Sequence, residues 1–181
     1  MKIVVCVKQV PDTKGGVQFN PDGTLNRAAM LAIMNPDDKA GLEAALRLKD
    51  QYGAEVTVLT MGLPKASDVL REALAMGADK AILVTDRVLG GADTWATSST
   101  IAAAIRKLDY DLITTGRQAI DGDTAQVGPQ ISEHLDIPVI SYAQDIKVEG
   151  DSVIVQRQFE DRYHVLKAKM PCLITALSEL N

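Results

Sequence analysis

The sequence predicts an α/β fold built on a mostly parallel sheet, and three of its features lead to that prediction. Short runs rich in Val and Ile alternate with segments whose apolar residues recur at helical spacing, which is the pattern of βαβ units. Several of these runs are almost continuously apolar, as expected of strands buried on both faces. A length of 181 residues with 46% hydrophobic content suits a single domain, residues 1–181, around one sizeable core.

The chain opens with a predicted strand and an excursion. Residues 3–10 form a nearly continuous β-branched run that Pro11 ends. In the excursion over residues 12–33, Asp22-Gly23 lies between short apolar flanks and gives the signal of a hairpin turn. We therefore expect a small β-ribbon inserted after the first strand.

Helices and strands alternate through the middle of the chain. Asn35 as N-cap and Pro36 as first helical residue open the first helix, and Gly53 ends it. The next predicted strands cover residues 55–61, 80–85 and 112–115, and the helices that follow them begin near Pro64, after the loop 90–94 and near Thr124. This alternation predicts right-handed crossovers and a parallel sheet.

The pattern changes after Pro138. Short strands predicted at residues 143–148, 152–158, 163–169 and 173–176 are joined by tight turns. We expect this segment, residues 143–177, to add antiparallel strands at the C-terminal edge of the sheet.

Composition and charge exclude several classes of function. The 19 Lys+Arg and 24 Asp+Glu residues give a net charge of −5 and are dispersed, which argues against nucleic acid or an anionic membrane as partner. No apolar run of 18 residues occurs, and the charged start is unlike a signal peptide, so we expect no membrane insertion. Cys6 and Cys172 have no CxxC spacing and are expected to be buried, reduced thiols of a cytoplasmic protein.

Common catalytic signatures are missing from the sequence. It contains no GxGxxG, GxxxxGK, GxSxG or HExxH pattern. His134 and His164 lie thirty residues apart without the spacing of metal ligands, and a structural role is expected for both. The sequence therefore predicts no catalytic residue and no metal site.

The strongest candidate for a binding site follows the strand at 112–115. Residues 116–123 form a polar loop with two glycines that leads into a helix predicted to begin near Thr124. Unpaired N–H groups and the dipole at such a helix start attract a phosphate, to which Thr124 adds a hydroxyl and Gln118 and Gln126 add amides. An ordinary N-cap by Asp123 without a ligand explains the same residues equally well.

Two other loops are weaker candidates, because open parallel sheets bind ligands at the carboxyl ends of their strands. The backbone around Lys8 can pair with an adenine edge beside Asn35, although a strand end and an N-cap explain these residues better. The loop 90–94 resembles the SGGxDS loop of ATP pyrophosphatases, but it follows the third strand and that motif follows the first. The other interpretation of the loop 90–94 is that it contacts a phosphate or a cofactor.

Five motifs, in order along the chain, resemble the beta subunit of electron-transfer flavoproteins. They are KIVVCVKQVPD at 2–12, MNP at 34–36, ALAMGAD at 73–79, GRQAIDGDT at 116–124 and KMPC at 169–172. The motifs cover essentially the whole chain, so their combination is far more specific than any single one. The resemblance implies a doubly wound sheet of the adenine-nucleotide-binding type that is also found in universal stress proteins.

The resemblance also implies a cofactor and a set of binding residues. Beta subunits of the family hold AMP or, in the electron-bifurcating branch, FAD at the equivalent place, and a second FAD belongs mainly to the alpha subunit. The loop 90–94 looks like that of the bifurcating branch, which favours FAD. By position, the adenine side falls on Cys6, Val7, Lys8, Asn35, Asp38 and Met61, the loop contributes Gly91, Asp93 and Thr94, and the phosphate side falls on Gln118, Asp121, Gly122, Asp123, Thr124, Ala125, Gln126 and Val127.

The resemblance further implies partners. An obligate heterodimer with an alpha subunit is expected, with an acyl-CoA dehydrogenase or a quinone reductase as redox partner and NADH as a donor in the bifurcating branch. The chain is then an electron-transfer component that needs no acid–base machinery of its own. Family members continue past residues 177–181 into a C-terminal arm that this sequence lacks. A stand-alone ATP- or AMP-binding module like a universal stress protein is the alternative.

Overall fold

The structure is a computed structural model that describes residues 1–12, 20–23 and 31–180. Four helices flank the sheet: α1 (Pro36–Tyr52), α2 (Ser67–Met76), α3 (Thr94–Ile105) and α4 (Val127–Leu135). The strands are β1 (Lys2–Cys6), β2 (Gln9–Pro11), β3 (Ala32–Met34), β4 (Glu55–Met61), β5 (Lys80–Val84), β6 (Leu112–Gly116), β7 (Val139–Glu149), β8 (Ser152–Gln158), β9 (Tyr163–Lys169) and β10 (Cys172–Ala176). Short 3₁₀ turns cover Pro64–Ala66 and Arg87–Leu89.

Eight of these strands form one sheet in the order β5-β4-β1-β6-β10-β7-β8-β9. Pairing is parallel from β5 through β10 to the start of β7, and antiparallel from β7 through β8 to β9. The prediction of a mostly parallel α/β sheet with antiparallel strands at one edge is confirmed.

Helices cover both faces of the sheet. Alternate residues of each buried strand point to opposite faces, and because these residues are apolar, both faces pack against helices. Ile3 and Val5 of β1 pack into a core with α1 and α2. Val4 and Cys6 of the same strand pack into a second core with α3 and α4. The fold is therefore doubly wound, and its ligand site is expected where the strand order reverses, beside β1.

The last strand differs from the prediction. Residues 173–176 were expected to be antiparallel at the edge, but β10 lies in the middle of the sheet and runs parallel to both β6 and β7. All five of its residues are buried, since the strand is apolar on both faces and so suits a central position. The antiparallel edge consists of β7, β8 and β9 alone.

The excursion after β1 is only partly described. Its two ends pair antiparallel, β2 with β3, and the Gly23 N–H donates to the Asn20 carbonyl oxygen at 2.9 Å in a turn. Residues 13–19 and 24–30, which contain most of the predicted ribbon, lie outside the described residues. The ribbon and the single-domain division therefore stay predictions.

The helix after β6 begins later than predicted. It begins at Val127 and not near Thr124. Asp123 and Ala125 have left-handed backbones with φ of 48° and 52°, which are incompatible with a right-handed helix at those positions.

Within the described ranges, no helix is long and apolar enough to cross a membrane.

Candidate functional site

A cavity of about 430 Å³ opens at the carboxyl ends of β1, β4, β5 and β6. This volume lies in the range of roughly 300–1,000 Å³ that is usual for small-molecule sites. Most of the lining comes from the segments that follow these strands: residues 6–8, 61–63, 86–87, 89–94, 115–119 and 122–128. The cavity thus lies at the carboxyl edge, beside the reversal of strand order, as expected for a doubly wound sheet.

Every binding residue predicted from the sequence lines this cavity except Asn35 and Asp121. Sequence reasoning missed several lining residues, among them Gly62, Leu63, Asp86, Arg87, Leu89, Thr115 and Arg117. These residues end a strand or follow it closely, so the rule that ligands bind at carboxyl ends could have found them. That the lining residues bind a ligand stays a prediction.

Asn35 occupies the predicted N-cap position of α1, but its side chain contacts the loop after β6. Its side chain makes no capping bond to α1, and the residue is completely buried. Its Nδ2 donates to the carbonyl oxygen of Gln118 at 2.8 Å, and its Oδ1 accepts from the Ile120 N–H at 3.1 Å. An amide carries both a donor and an acceptor, so Asn35 braces the loop after β6 from below without lining the cavity.

Asp38 joins the ends of two strands. Its Oδ2 accepts from the Lys8 N–H and its Oδ1 from the Gly116 N–H, both at 2.8 Å. Burial raises the pKa of this carboxyl to about 7, and the bonds from the two N–H groups partly oppose the rise. The carboxylate therefore ties β1 to β6 at the floor of the cavity.

This arrangement changes the predicted adenine contact. The Lys8 N–H is taken by Asp38, and the Lys8 carbonyl oxygen accepts from the Asn35 N–H at 2.9 Å. The Val7 N–H donates to Leu59, whereas the Val7 carbonyl oxygen accepts no hydrogen bond from the described residues. Both backbone groups of Lys8 are thus engaged by the protein, and the Val7 carbonyl is the group left for pairing with an adenine edge. The adenine contact itself stays a prediction.

Asp37, the neighbour of Asp38, faces an arginine. Its carboxylate Oδ2 lies 3.4 Å from Nε of Arg117, a cavity-lining residue. Burial raises the pKa of Asp37, and the positive charge of Arg117 works against that rise. This pair holds the start of α1 against the loop after β6.

The loop before α4 presents a series of unpaired backbone donors. The N–H groups of Gly122 and Asp123 donate to the Ala119 carbonyl oxygen at 3.2 and 2.9 Å. From Thr124 to Gly128, by contrast, no N–H donates to an acceptor in the described part of the chain. The left-handed backbones of Asp123 and Ala125 curve this segment, and such concave runs of N–H groups at a helix start bind anions.

Side chains around this segment are engaged by the protein. The carboxylate of Asp121 pairs with the ammonium of Lys8 at 2.7 Å, and that of Asp123 accepts from Nε2 of Gln118 at 2.9 Å. The alternative of an ordinary N-cap by Asp123 is wrong, because the N-cap is Gln126, whose side chain makes no capping bond to α4. The Lys8 ammonium offsets the charge of Asp121, whereas the neutral amide of Gln118 leaves Asp123 with its negative charge beside this segment.

The loop after β5 forms the other wall of the cavity. Asp93 caps α3 by accepting from the Ala96 N–H at 2.8 Å. The Thr94 hydroxyl donates to Oε1 of Gln126 at 3.0 Å and so ties this loop to the anion-binding segment. Gly91 has a φ of +77°, and no atom lies within 4 Å of a Cβ built on it.

The remaining chemically reactive side chains do not form a catalytic group. Burial raises the pKa of Cys6 to about 12 and that of Cys172 to about 11, which leaves both thiols unreactive at neutral pH. Nε2 of His134 lies 3.1 Å from the Ser98 hydroxyl, and the His164 ring contacts Phe159. No cluster of possible metal ligands occurs among the described residues.

The arrangement suits a nucleotide. The unpaired N–H groups at 124–128 can hold a phosphate, and the Val7 carbonyl can accept from an exocyclic amine. A Cβ built on Gly122 meets no protein atom within 4 Å, so there is room for a ligand beside that loop. The cavity therefore provides binding and orientation, and the described part of its lining contains no nucleophile paired with a base, since Ser98 and His134 lie outside it.

Comparison with known proteins gives one consistent result. A family model described as the electron transfer flavoprotein domain matches residues 22–181. The electron transfer flavoprotein subunit beta of Clostridium acetobutylicum is 59% identical over 100% of this chain, which covers 70% of that protein. The acryloyl-CoA reductase electron transfer subunit gamma of Anaerotignum propionicum is 58% identical over 99% of this chain and 68% of that protein. The caffeyl-CoA reductase-Etf complex subunit CarD of Acetobacterium woodii is 56% identical over 100% of this chain and 70% of that protein.

Proposed function

The chain belongs to the electron transfer flavoprotein family, among its beta subunits, and on that premise we propose that its cavity binds an adenine nucleotide, FAD in preference to AMP. The observation that carries the proposal is the run of unpaired N–H groups at 124–128, which faces no protein acceptor in the described part of the chain. The N–H groups at a helix start lack intrahelical partners, and a concave run of them is a site at which a phosphate binds.

The extent of the cavity supports FAD over AMP. The Val7 carbonyl and the segment 124–128 suffice for an adenine and one phosphate. The lining continues beyond them along residues 86–94, in the glycine-containing loop after β5. A dinucleotide uses this second wall, and a mononucleotide leaves it without a contact.

The roles of the chain's residues are those of a binding site. When bound, the flavin supplies the electron transfer itself. Asn35 and Asp38 hold the loop after β6 in place from below, and Thr94 connects the two walls through Gln126. The protein thereby orients the cofactor and excludes water from its adenine end.

The family implies an alpha subunit as partner, and we propose an obligate heterodimer in which that subunit holds the second FAD. Two relatives are named as parts of an acryloyl-CoA reductase and a caffeyl-CoA reductase complex, which supports an enzyme acting on acyl-CoA as the electron acceptor. NADH is the donor that we propose, with electrons divided between two flavins by bifurcation.

The test is the nucleotide released when the purified heterodimer is denatured. We expect two FAD per heterodimer. If one FAD and one AMP are released, the beta chain holds AMP and not FAD, and this result would count against bifurcation. A beta chain without any nucleotide would overturn the proposed site.

A threonine variant tests the phosphate contact. Thr124→Ala removes one hydroxyl donor to a charged group and should weaken nucleotide binding roughly tenfold or somewhat more. The matched control is Thr100→Ala, since the Thr100 hydroxyl bonds the Ala96 carbonyl on α3 and the residue does not line the cavity. Equal nucleotide retention after gel filtration in both variants would place the phosphate elsewhere.

A further inference from the structure

Three basic side chains line the cavity: Lys8, Arg87 and Arg117. The Lys8 ammonium lies 2.7 Å from the Asp121 carboxylate, and Nε of Arg117 lies 3.4 Å from that of Asp37. The guanidinium of Arg87 has neither an ion pair nor a hydrogen-bond acceptor among the described residues. It is therefore the one cation of the described lining that no acid or carbonyl group of the chain engages.

Arg87 lies in the short turn that follows β5. It begins a 3₁₀ turn, Arg87–Leu89, in which the Asp86 carboxylate accepts from the Val88 N–H at 3.0 Å. The Arg87 carbonyl oxygen accepts from the Gly90 N–H at 3.2 Å. Asp86 thus serves the turn itself, and the loop continues into α3, where Thr94 is bonded to Gln126.

The location of Arg87 separates it from the contacts that a mononucleotide needs. An adenine at the end of β1 and a phosphate at 124–128 are served by residues after β1 and β6. Arg87 follows β5, two strands away from β1 in the sheet, on the wall formed by residues 86–94. A ligand that reaches it must extend beyond its first phosphate.

We propose that Arg87 makes the site select a dinucleotide over a mononucleotide, by donating from its guanidinium to acceptor oxygens in the half of the ligand beyond the first phosphate. A guanidinium presents several donors in one plane, which suits phosphate oxygens and the carbonyl edge of a planar ring. This inference rests on the proposed function, because it presupposes a nucleotide in the cavity.

The experiment measures the beta site alone in the heterodimer. Radiolabelled AMP is titrated into a heterodimer whose alpha site is saturated with FAD, and unlabelled FAD then displaces the label. Arg87→Gln should leave the Kd of AMP unchanged within about twofold and should raise the FAD concentration needed for displacement roughly tenfold or more. Arg87→Lys keeps the charge and should lose less.

Arg71→Gln is the matched control, since Arg71 is an exposed arginine on α2 that pairs with Asp68 and does not line the cavity. Arg71→Gln should change neither the Kd of AMP nor the FAD concentration needed for displacement. The proposal is overturned if Arg87→Gln weakens AMP and FAD equally, or if it changes neither. If wild-type heterodimer binds no labelled AMP and no FAD in the beta chain, the nucleotide site itself has failed, and the selectivity proposal fails with it.

Discussion

At the scale of single residues, Asp38 carries the largest electrostatic cost near the site. The carboxyl group is buried, yet it accepts hydrogen bonds from two backbone N–H groups that belong to different strands. Burial raises its pKa from 3.8 to about 7, so folding favours the protonated form. The structure retains this group because an acceptor is needed where the ends of β1 and β6 meet.

The raised pKa predicts how stability depends on pH. Between about pH 4 and about pH 7 the unfolded chain has lost this proton and the folded chain keeps it, so the free energy of unfolding falls as pH rises, by roughly 1.4 kcal/mol per pH unit from this group. Asp38→Asn resembles the protonated form and should remove that slope. Urea unfolding at several pH values measures it.

The control for this prediction is Asp68→Asn. Asp68 is an exposed residue on α2, paired with Arg71. Its replacement should leave the slope as in the wild type. An Asp38→Asn slope equal to that of the wild type would show that Asp38 keeps an ordinary pKa in the folded chain.

Two glycines of the site loop differ in the stability loss that an added Cβ should cause. A Cβ on Gly116 would collide with the Asp38 carboxylate and would lie 2.8 Å from Cβ of Asp37, whereas a Cβ on Gly122 meets nothing within 4 Å. Gly116→Ala should therefore cost about 1–3 kcal/mol of unfolding free energy. Gly122→Ala should stay within about 0.5 kcal/mol of the wild type, as measured by urea denaturation.

Substitution of Gly122 should also affect nucleotide binding. The backbone of Gly122 does not have the positive φ that would require glycine, so a larger residue meets no backbone strain there. Gly122→Val should keep the stability of the wild type and lose bound nucleotide, because its side chain enters space beside the anion-binding segment. A Gly122→Val protein that retains its full nucleotide complement would contradict this.

At the scale of elements, the sheet has a buried centre and an exposed edge. Central β10 is buried along its whole length, whereas most of β9 is exposed at the edge of the sheet. The five apolar or small residues of β10 therefore contribute more to stability than the seven mostly exposed residues of β9, because burial decides how much apolar surface each strand removes from water.

This difference predicts the effect of two truncations. Leu173→Ala removes a completely buried side chain in β10 and should lower the free energy of unfolding by about 2–5 kcal/mol. Val165→Ala removes methyl groups that are 62% exposed in β9 and should change it by less than about 0.5 kcal/mol. Similar losses in the two variants, measured by chemical denaturation, would mean that β10 does not occupy the centre of the sheet.

At the scale of the whole molecule, apolar side chains are exposed around the cavity. Leu63, Val88 and Trp95 are 77%, 82% and 62% exposed, and all three lie in the segments that follow β4 and β5. Exposed apolar surface beside a ligand site is typical of surface that a partner covers. This agrees with the family, whose beta subunits work with an alpha subunit.

We expect a stable heterodimer with an alpha-type subunit that buries more than about 2,000 Å², as obligate pairs do. Gel filtration with light scattering of the mixed chains measures the association, and a crystal structure of the complex measures the area. A chain that stays monomeric beside its alpha subunit at micromolar concentration would contradict the expectation.

Much of the fold was predictable because its signals are local. Apolar periodicity, prolines and glycines indicated α1 to α3 and the parallel strands, since these patterns reflect the contacts of each segment with its own neighbours. The five motifs identified the family, which the comparisons confirm. The loops after β1, β5 and β6 were also indicated, because carboxyl strand ends meet at one edge of the sheet.

The sequence by itself thus determined most of the described secondary structure, the parallel sheet and the family of this protein. Only the tertiary structure decided that β10 enters between β6 and β7, that Asn35 braces a loop more than eighty residues away, and that Asp38 and not a ligand occupies the Lys8 N–H. The choice of a strand's neighbours and of a buried side chain's partners depends on groups that meet only after folding. Local patterns carry no information on those encounters, because each residue there satisfies a donor or fills a space supplied by a distant part of the chain.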